Sequence, residues 1–284
     1  MSLYELCVDT KLRLAQVPGF QEHSRKAEDE SEDEEEDPLM FLIRVFRQGV
    51  PLLILLGSVP QLDYLTDTSK FERDIDSLVV PEAAIQRFID VMGGLRFGPY
   101  GQCFEVDDLM GDDSSGFMKV VRYIAQVLDI LASTGSIKSV DVTTIPSLDE
   151  RELVRPSVRD LIIRELLYSD RFYVENLEKL QEVQHTIERA GISSDYSFNI
   201  VFRSLGIILD KQRRLLLKLE VTARKPSEDQ TWGHHFEEWS STSSAYADYI
   251  TGEKKATEYA RKLVANWDQN GHVSGLNSDS ERLG

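Results

Sequence analysis

Residues 158–183 read VRDLIIRELLYSDRFYVENLEKLQEV. Apolar residues recur in this stretch at spacings of three and four, with charged residues between them, which is the pattern of an amphipathic helix. The same pattern continues to Ala190, so we predict one long helix over Val158–Ala190. A long amphipathic helix buries its apolar stripe against other helices, and the stretch therefore favours an all-α fold.

Two further helical patterns follow, Ser197–Arg224 and Trp232–Trp267, with the loop sequence ARKPSEDQTWG between them. Neighbouring antiparallel helices bury one another's apolar stripes. The three patterns together therefore predict an extended helical bundle. No convincing run of alternating polar and apolar residues predicts β-strands.

The front half of the chain also predicts helices. Residues 38–59 read PLMFLIRVFRQGVPLLILLGSV and are apolar on nearly all sides. Gly49 and Pro51 predict a break between two buried segments of this stretch. Further helices are predicted over Ala83–Met92 and Gly116–Leu131, so that this part of the chain forms a compact helical domain.

The ends of this domain are marked by changes in composition. Leu3–Val17 predicts a short amphipathic helix that Pro18 and Gly19 terminate. Glu28–Asp37 reads EDESEDEEED, a block of like charge that predicts a solvated linker. We divide the chain into an N-terminal helical segment (1–27), an acidic linker (28–37), the helical domain (38–134), a second linker (135–156), the bundle (157–267) and a disordered tail (268–284).

The charge balance argues for protein partners. The chain has 49 acidic and 32 basic residues, a formal net charge of −17, which disfavours binding to nucleic acid or anionic lipid. Its most apolar stretch, Leu39–Val59, contains charged residues and a proline, and its N-terminus lacks the pattern of a signal peptide. We expect a soluble cytoplasmic protein with no transmembrane segment, in which Cys7 and Cys103 are reduced thiols.

No motif for covalent chemistry occurs in the sequence. The chain has neither a glycine-rich phosphate loop nor a Gly-x-Ser-x-Gly elbow. His234 and His235 are adjacent and lack further ligands nearby, so we interpret them as surface residues. The stretch Asp107–Gly116 fails the spacing of a calcium loop and is interpreted as a turn that caps a helix. We expect no metal, no cofactor and no catalytic residue, and a functional surface that binds protein.

One carboxylate on the long predicted helix lies on or beside its apolar stripe. Glu165 follows Leu161 by four residues and precedes Phe172 by seven. The pattern allows two interpretations: a solvated, inert charge at the edge of a buried face, or an exposed acid that recognises a partner.

The stretch 158–183 resembles the first conserved region of Dbl-homology domains, with the pattern Ile-x-Glu-Leu-(Leu/Val)-x-(Thr/Ser)-(Glu/Asp)-x-x-Tyr-Val-x-x-Leu. The residues that carry the resemblance are Ile163, Glu165, Leu166, Leu167, Ser169, Asp170, Tyr173, Val174 and Leu177. The helical patterns that follow look like later helices of the same domain. The front half resembles, in order, the N-terminal region and calponin-homology domain of fungal cell-polarity exchange factors for Rho-type GTPases.

The resemblance implies a guanine nucleotide exchange factor that promotes GDP release from a Rho-family polarity GTPase in small-GTPase signalling. Such a protein binds the switch regions of the GTPase and performs no covalent chemistry. Glu165 matches the family's acid that contacts the first switch, and Ser169 and Asp170 are implied to bind the GTPase beside it. The resemblance also implies recruitment to the cell cortex at polarity sites.

The sequence departs from the family pattern towards its end. Dbl-homology domains carry a later motif resembling Leu-x-x-Pro-x-Gln-Arg, whereas this chain has no proline after Pro226. We therefore expect a truncated Dbl-homology domain, with doubtful full exchange activity, and no following pleckstrin-homology domain. The alternative is a non-catalytic interaction or scaffold protein that acts through the calponin-homology-like domain. Actin binding is a third hypothesis. It is disfavoured because actin-binding proteins commonly use two such domains in tandem, and because a fold does not fix a function.

Overall fold

The computed structural model describes residues 2–30, 37–59, 80–95, 103–138, 157–189, 196–242 and 244–269. Within these ranges the chain forms helices and no β-strand, which confirms the predicted all-α fold. The twelve described helices are α1 (Leu3–Leu14), α2 (Gln21–Asp29), α3 (Pro38–Arg47), α4 (Val50–Gly57), α5 (Pro81–Leu95), α6 (Val106–Met110), α7 (Ser114–Ser133), α8 (Val158–Arg189), α9 (Tyr196–Phe202), α10 (Leu205–Arg224), α11 (Trp232–Thr242) and α12 (Ser244–Gln269).

The chain divides into two compact units. The first unit comprises Met1–Leu167 and Leu216–Gln230, and the second comprises Tyr168–Leu215 and Thr231–Gly284. The boundaries after Leu167 and after Leu215 fall inside α8 and α10, and the third, after Gln230, falls in the loop before α11. No single helix in the described ranges combines the length and the apolar composition needed to cross a bilayer.

The core of the first unit is built around the two predicted buried segments, which form the helices α3 and α4. Asp37 caps α3 by accepting a hydrogen bond from the Leu39 backbone N–H at 2.8 Å. Gly49 separates the two helices with φ of 75°, in the left-handed region that glycine adopts without strain. Since α3 and α4 are mostly buried, their side chains meet those of α1, α5 and α7 in one continuous apolar core.

The N-terminal segment belongs to this same core. Helix α1 begins with a capping box, in which the Ser2 hydroxyl accepts from the Glu5 N–H and the Glu5 carboxylate accepts from the Ser2 N–H. Cys7 and Leu14 on α1 are fully buried in the core cluster. The predicted helix is therefore confirmed, and its apolar side covers the helices that follow.

Helix α2 was not predicted from the sequence. Its residues, QEHSRKAED, are polar apart from Ala27, so they show no apolar stripe from which a helix could be inferred. The helix extends to Asp29, two residues into the segment 28–37 that the sequence predicts as a linker. The described residues do not include residues 31–36 of that segment, 139–156 of the second predicted linker or 270–284 of the predicted tail.

The interpretation of Asp107–Gly116 as a turn with a helix cap is confirmed. One helical turn, α6, is followed by Asp113, whose side chain accepts from the Ser115 N–H at 3.1 Å and caps α7. Lys119 pairs with Asp108 at 2.8 Å and holds this turn against α7.

The long patterns in the second half are divided further than the sequence suggested. Helix α8 matches its prediction to within one residue. The pattern Ser197–Arg224 is two helices, α9 and α10, and the pattern Trp232–Trp267 is also two, α11 and α12. In the first pair, Arg203 and Ser204 separate α9 from α10, and a serine hydroxyl can compete for the backbone hydrogen bonds of a helix.

We predict that Gly49→Ala destabilises the protein more than Gly135→Ala does. Both glycines have positive φ, so an alanine costs about 1–2 kcal/mol of backbone strain at either position. At Gly49 the added Cβ would also lie 2.6 Å from the Pro81 carbonyl oxygen, whereas at Gly135 it meets nothing. Urea unfolding of both variants measures the difference, and equal loss of stability would contradict this account of the α3–α4 turn.

Candidate protein-binding site

Helix α8 carries an exposed apolar face. Its side chains include Ile162 and Tyr168, which are 63% and 68% exposed, whereas Leu167 and Val174 on the opposite side are 2% and 4% exposed. At about 100° of rotation per residue, the members of the exposed face lie within roughly 60° of Glu165 around the helix. We call this surface the α8 face; it consists of Val158, Leu161, Ile162, Glu165, Tyr168, Ser169 and Phe172.

Glu165 lies at the centre of the α8 face. Leu161 and Phe172, the neighbours that define its position in the sequence, are themselves more than half exposed. The apolar stripe around Glu165 is therefore an exposed surface and not the edge of a buried one. A contiguous exposed apolar patch that contains one carboxylate is characteristic of a surface that binds another protein.

The structure separates the three residues predicted to bind a GTPase. Glu165 and Ser169 are exposed on the α8 face. Asp170 is half-buried and lies roughly 140° from Glu165 around the helix. Its Oδ1 accepts a hydrogen bond of 3.4 Å from the Gln212 side-chain amide on α10.

A polar cluster surrounds Asp170 within the second unit. Burial raises the pKa of the Asp170 carboxyl, and the hydrogen bond from Gln212 acts in the opposite direction. Burial also raises the pKa of the Tyr246 hydroxyl, and its hydrogen bond with Tyr173 and the nearby charge of Asp170 act in the same direction. This cluster could not be inferred from the sequence, because its members come from α8, α10 and α12.

An ion pair with a buried arginine joins α10 to α8. Arg213 is 2% exposed, and its Nε and Nη2 donate to Oε1 of Glu178 at 3.0 and 2.8 Å. A buried guanidinium needs such a partner, because removing a charge from water is unfavourable unless it is paired and hydrogen-bonded. The pair was missed in the sequence, where Glu178 is indistinguishable from the exposed acids around it.

The first turn of α8 is fixed by a reciprocal cap. The Ser157 hydroxyl donates to Asp160 Oδ2 at 2.7 Å, and the Asp160 N–H donates back to the Ser157 hydroxyl at 3.2 Å. The hydrogen bonds from the Ser157 side chain and backbone lower the pKa of Asp160. This cap stabilises the first turn of α8, which carries Val158 and Leu161 of the α8 face.

Two family models match the chain. Residues 37–128 match the CDC24 calponin family, and residues 162–281 match the RhoGEF domain family. The second match begins on α8 and includes all of the α8 face from Ile162 onward.

Two curated relatives, both fungal, are similar to the chain. Cell division control protein 24 of Saccharomyces cerevisiae is 25% identical over 233 residues, which cover 78% of this chain and 26% of the relative. Rho guanine nucleotide exchange factor scd1 of Schizosaccharomyces pombe is 23% identical over 301 residues, which cover 100% of this chain and 34% of the relative. The chain thus spans about a quarter to a third of the length of these relatives. No solved structure matches it significantly.

We predict that Glu178→Ala destabilises the protein by about 1.5–3 kcal/mol, because it removes a charged hydrogen-bond acceptor from the buried Arg213 guanidinium. The matched control is Glu175→Ala on the same helix. Glu175 pairs with Lys179 at the surface, and the loss of an exposed pair of this kind costs about 0.3–0.5 kcal/mol. Chemical unfolding of the two variants tests this difference, and similar losses would mean that the buried pair contributes little.

We also predict that Asp170→Asn stabilises the protein at pH 7 and has a smaller effect at pH 4. The pKa of Asp170 is raised on folding, so the folded state binds the proton more tightly than the unfolded state. The stability that protonation contributes is fully present below the unfolded-state pKa and is lost as the pH rises through the folded-state pKa. An amide is neutral at every pH and avoids this loss. Urea unfolding of both proteins at the two pH values measures the change in the free energy of unfolding. A larger stabilisation by Asp170→Asn at pH 4 than at pH 7 would contradict the prediction.

Proposed function

We propose that this chain, which carries a CDC24 calponin domain and a RhoGEF domain and is homologous to the two fungal proteins, is a guanine nucleotide exchange factor for a Rho-family GTPase. Its partner is a Rho-type GTPase of cell-polarity signalling. The calponin part binds other signalling or scaffold proteins and brings the chain to the cell cortex at polarity sites.

The α8 face is the observation that carries this proposal. It lies in the segment that matches the RhoGEF family, and it presents apolar side chains on both sides of one central carboxylate. Binding of a GTPase would remove these apolar side chains from water and would leave Glu165 in a less polar surrounding. A hydrogen bond to a charged group in such a surrounding is stronger than the same bond in water.

The mechanism is differential binding and involves no bond making or breaking. A partner that binds the nucleotide-free GTPase more tightly than the GDP-bound form weakens GDP binding by the same factor. A thousandfold weakening requires that the two affinities differ by about 4 kcal/mol. Once GDP has left, GTP binds the empty site and displaces the exchange factor by the same linkage.

The three residues predicted from the resemblance have different roles in this proposal. Glu165 and Ser169 contact the GTPase, since both are exposed on the α8 face. Asp170 acts through the position of α8, because its side chain contacts Gln212 on α10.

The test is release of fluorescent GDP from a polarity-type Rho GTPase in the presence of excess unlabelled nucleotide. We expect the chain to accelerate release and Glu165→Ala to lower that acceleration roughly tenfold to hundredfold. This range corresponds to the loss of one hydrogen bond to a charged group, about 1.5–3 kcal/mol.

The matched control is Glu182→Ala, which removes an exposed carboxylate from α8 outside the α8 face. This variant should accelerate GDP release as much as the unmodified chain does. Equal losses in the two variants would show that Glu165 has no special role. A folded chain that does not accelerate release at all would favour the non-catalytic interaction protein.

A further inference from the structure

The C-terminal end of α10 is enclosed within the first unit. Leu217 is fully buried in the same core cluster as Cys7 and Leu14 of α1. Glu220 and Thr222, one turn further along, are each 1% exposed. These turns of a helix from the RhoGEF-matching segment are thus covered by the N-terminal helix and its neighbours.

Polar and aromatic contacts join α1 to the same end of α10. The Arg224 guanidinium carbon lies 3.8 Å from the centroid of the Tyr4 ring, which is the geometry of a cation–π contact. The Ser2 hydroxyl donates to Oε2 of Glu220 at 3.3 Å. Arg224 Nη1 in turn donates to the Glu220 carbonyl oxygen at 3.0 Å and lies 3.7 Å from Oε2 of Glu220.

The Ser2 hydroxyl forms hydrogen bonds with both α1 and α10. It accepts from the Glu5 N–H to start α1 and donates to the buried carboxylate of Glu220 on α10. A carboxylate that is almost fully removed from water needs donors around it, because the unpaired charge would be strongly unfavourable. The start of α1 and the end of α10 therefore stabilise each other.

The same end of α10 is linked to the beginning of α8 within the first unit. Gln230 donates to the Lys225 carbonyl oxygen at 2.9 Å and fixes the turn that follows α10. Arg159 on α8 donates to the Ser227 carbonyl oxygen in that turn at 3.4 Å. Arg159 is adjacent to Val158, the first member of the α8 face.

We propose that α1 is a clasp that holds the C-terminal end of α10, and that Tyr4 and Ser2 are positioning residues that keep the α8 face competent to bind its partner. The part of this inference that concerns binding rests on the proposed exchange function. The part that concerns the clasp is independent of that function. On this view the N-terminal helix is a component of the exchange machinery, although it lies outside the segment that matches the RhoGEF family.

Amide hydrogen exchange in the full chain tests the clasp. We expect Tyr4→Ala to speed exchange of the amides of residues 217–224 roughly fivefold, the factor that corresponds to loss of one cation–π contact. Amides of residues 171–187 in the second unit should be unaffected. Tyr4→Phe keeps the ring and should behave as the unmodified chain, as should Tyr249→Ala, which removes an exposed tyrosine from the second unit.

A second variant covers the case in which Tyr4→Ala fails to fold. Ser2→Gly removes the hydroxyl that donates to Glu220 but retains a residue that is acceptable at a helix N-cap. Ser2→Gly should speed hydrogen exchange at the same amides, but by less than Tyr4→Ala does. The clasp would be overturned if the amide exchange rates of residues 217–224 were unchanged. It would also be overturned if exchange became equally faster in both units.

GDP release tests the consequence for binding. If the clasp sets the fraction of molecules with a competent α8 face, Tyr4→Ala should raise the concentration of chain needed for half-maximal acceleration and leave the maximal rate unchanged. Tyr4→Phe should reach half-maximal acceleration at the same concentration as the unmodified chain. Faster hydrogen exchange with an unchanged half-maximal concentration would overturn the positioning role. An unmodified chain that does not accelerate release would instead refute the exchange function, and hydrogen exchange would still decide the clasp.

Discussion

The structure depends on how the two sides of α8 are covered. The helix has 32 residues and is therefore about 48 Å long. A helix in water is held mainly by the packing of its apolar side. On α8 this packing comes from Leu167 and Val174, and the buried Arg213–Glu178 pair adds a charged contact to α10. Because these contacts fix the rotation of α8, the opposite side, with Glu165 at its centre, is exposed.

The units defined by packing differ from the segments defined by family resemblance. The RhoGEF-matching segment begins at residue 162, yet α8 as far as Leu167 and α10 from Leu216 belong to the same compact unit as the calponin-matching helices. One physical reason is that Leu217 is buried in the same core cluster as Cys7 and Leu14 of α1. This end of α10 therefore shares its apolar core with helices of the calponin-matching segment.

The candidate site illustrates how a motif distributes its roles. Glu165, Ser169 and Asp170 lie within six residues of one another and belong to one family pattern. The rotation of a helix nevertheless sends Asp170 towards α10, where burial raises its pKa, while Glu165 and Ser169 remain exposed. Under the proposed function, Glu165 and Ser169 would contact the partner directly, and Asp170 would act only through the packing of α8.

Residue spacing and composition predicted that the described fold is helical, that the apolar stretch 38–59 breaks at Gly49 and Pro51, and that Glu165 lies on or beside an apolar stripe. These features are local, since they follow from residue spacing and from the backbone freedom of glycine. Which apolar stripe of α8 is covered depends on tertiary packing. The helix has one apolar stripe through Leu167 and Val174 and another through Leu161 and Phe172, and periodicity describes both equally well. Packing against α10 and its neighbours distinguishes them, because burial is a property of the partner surface as well as of the helix.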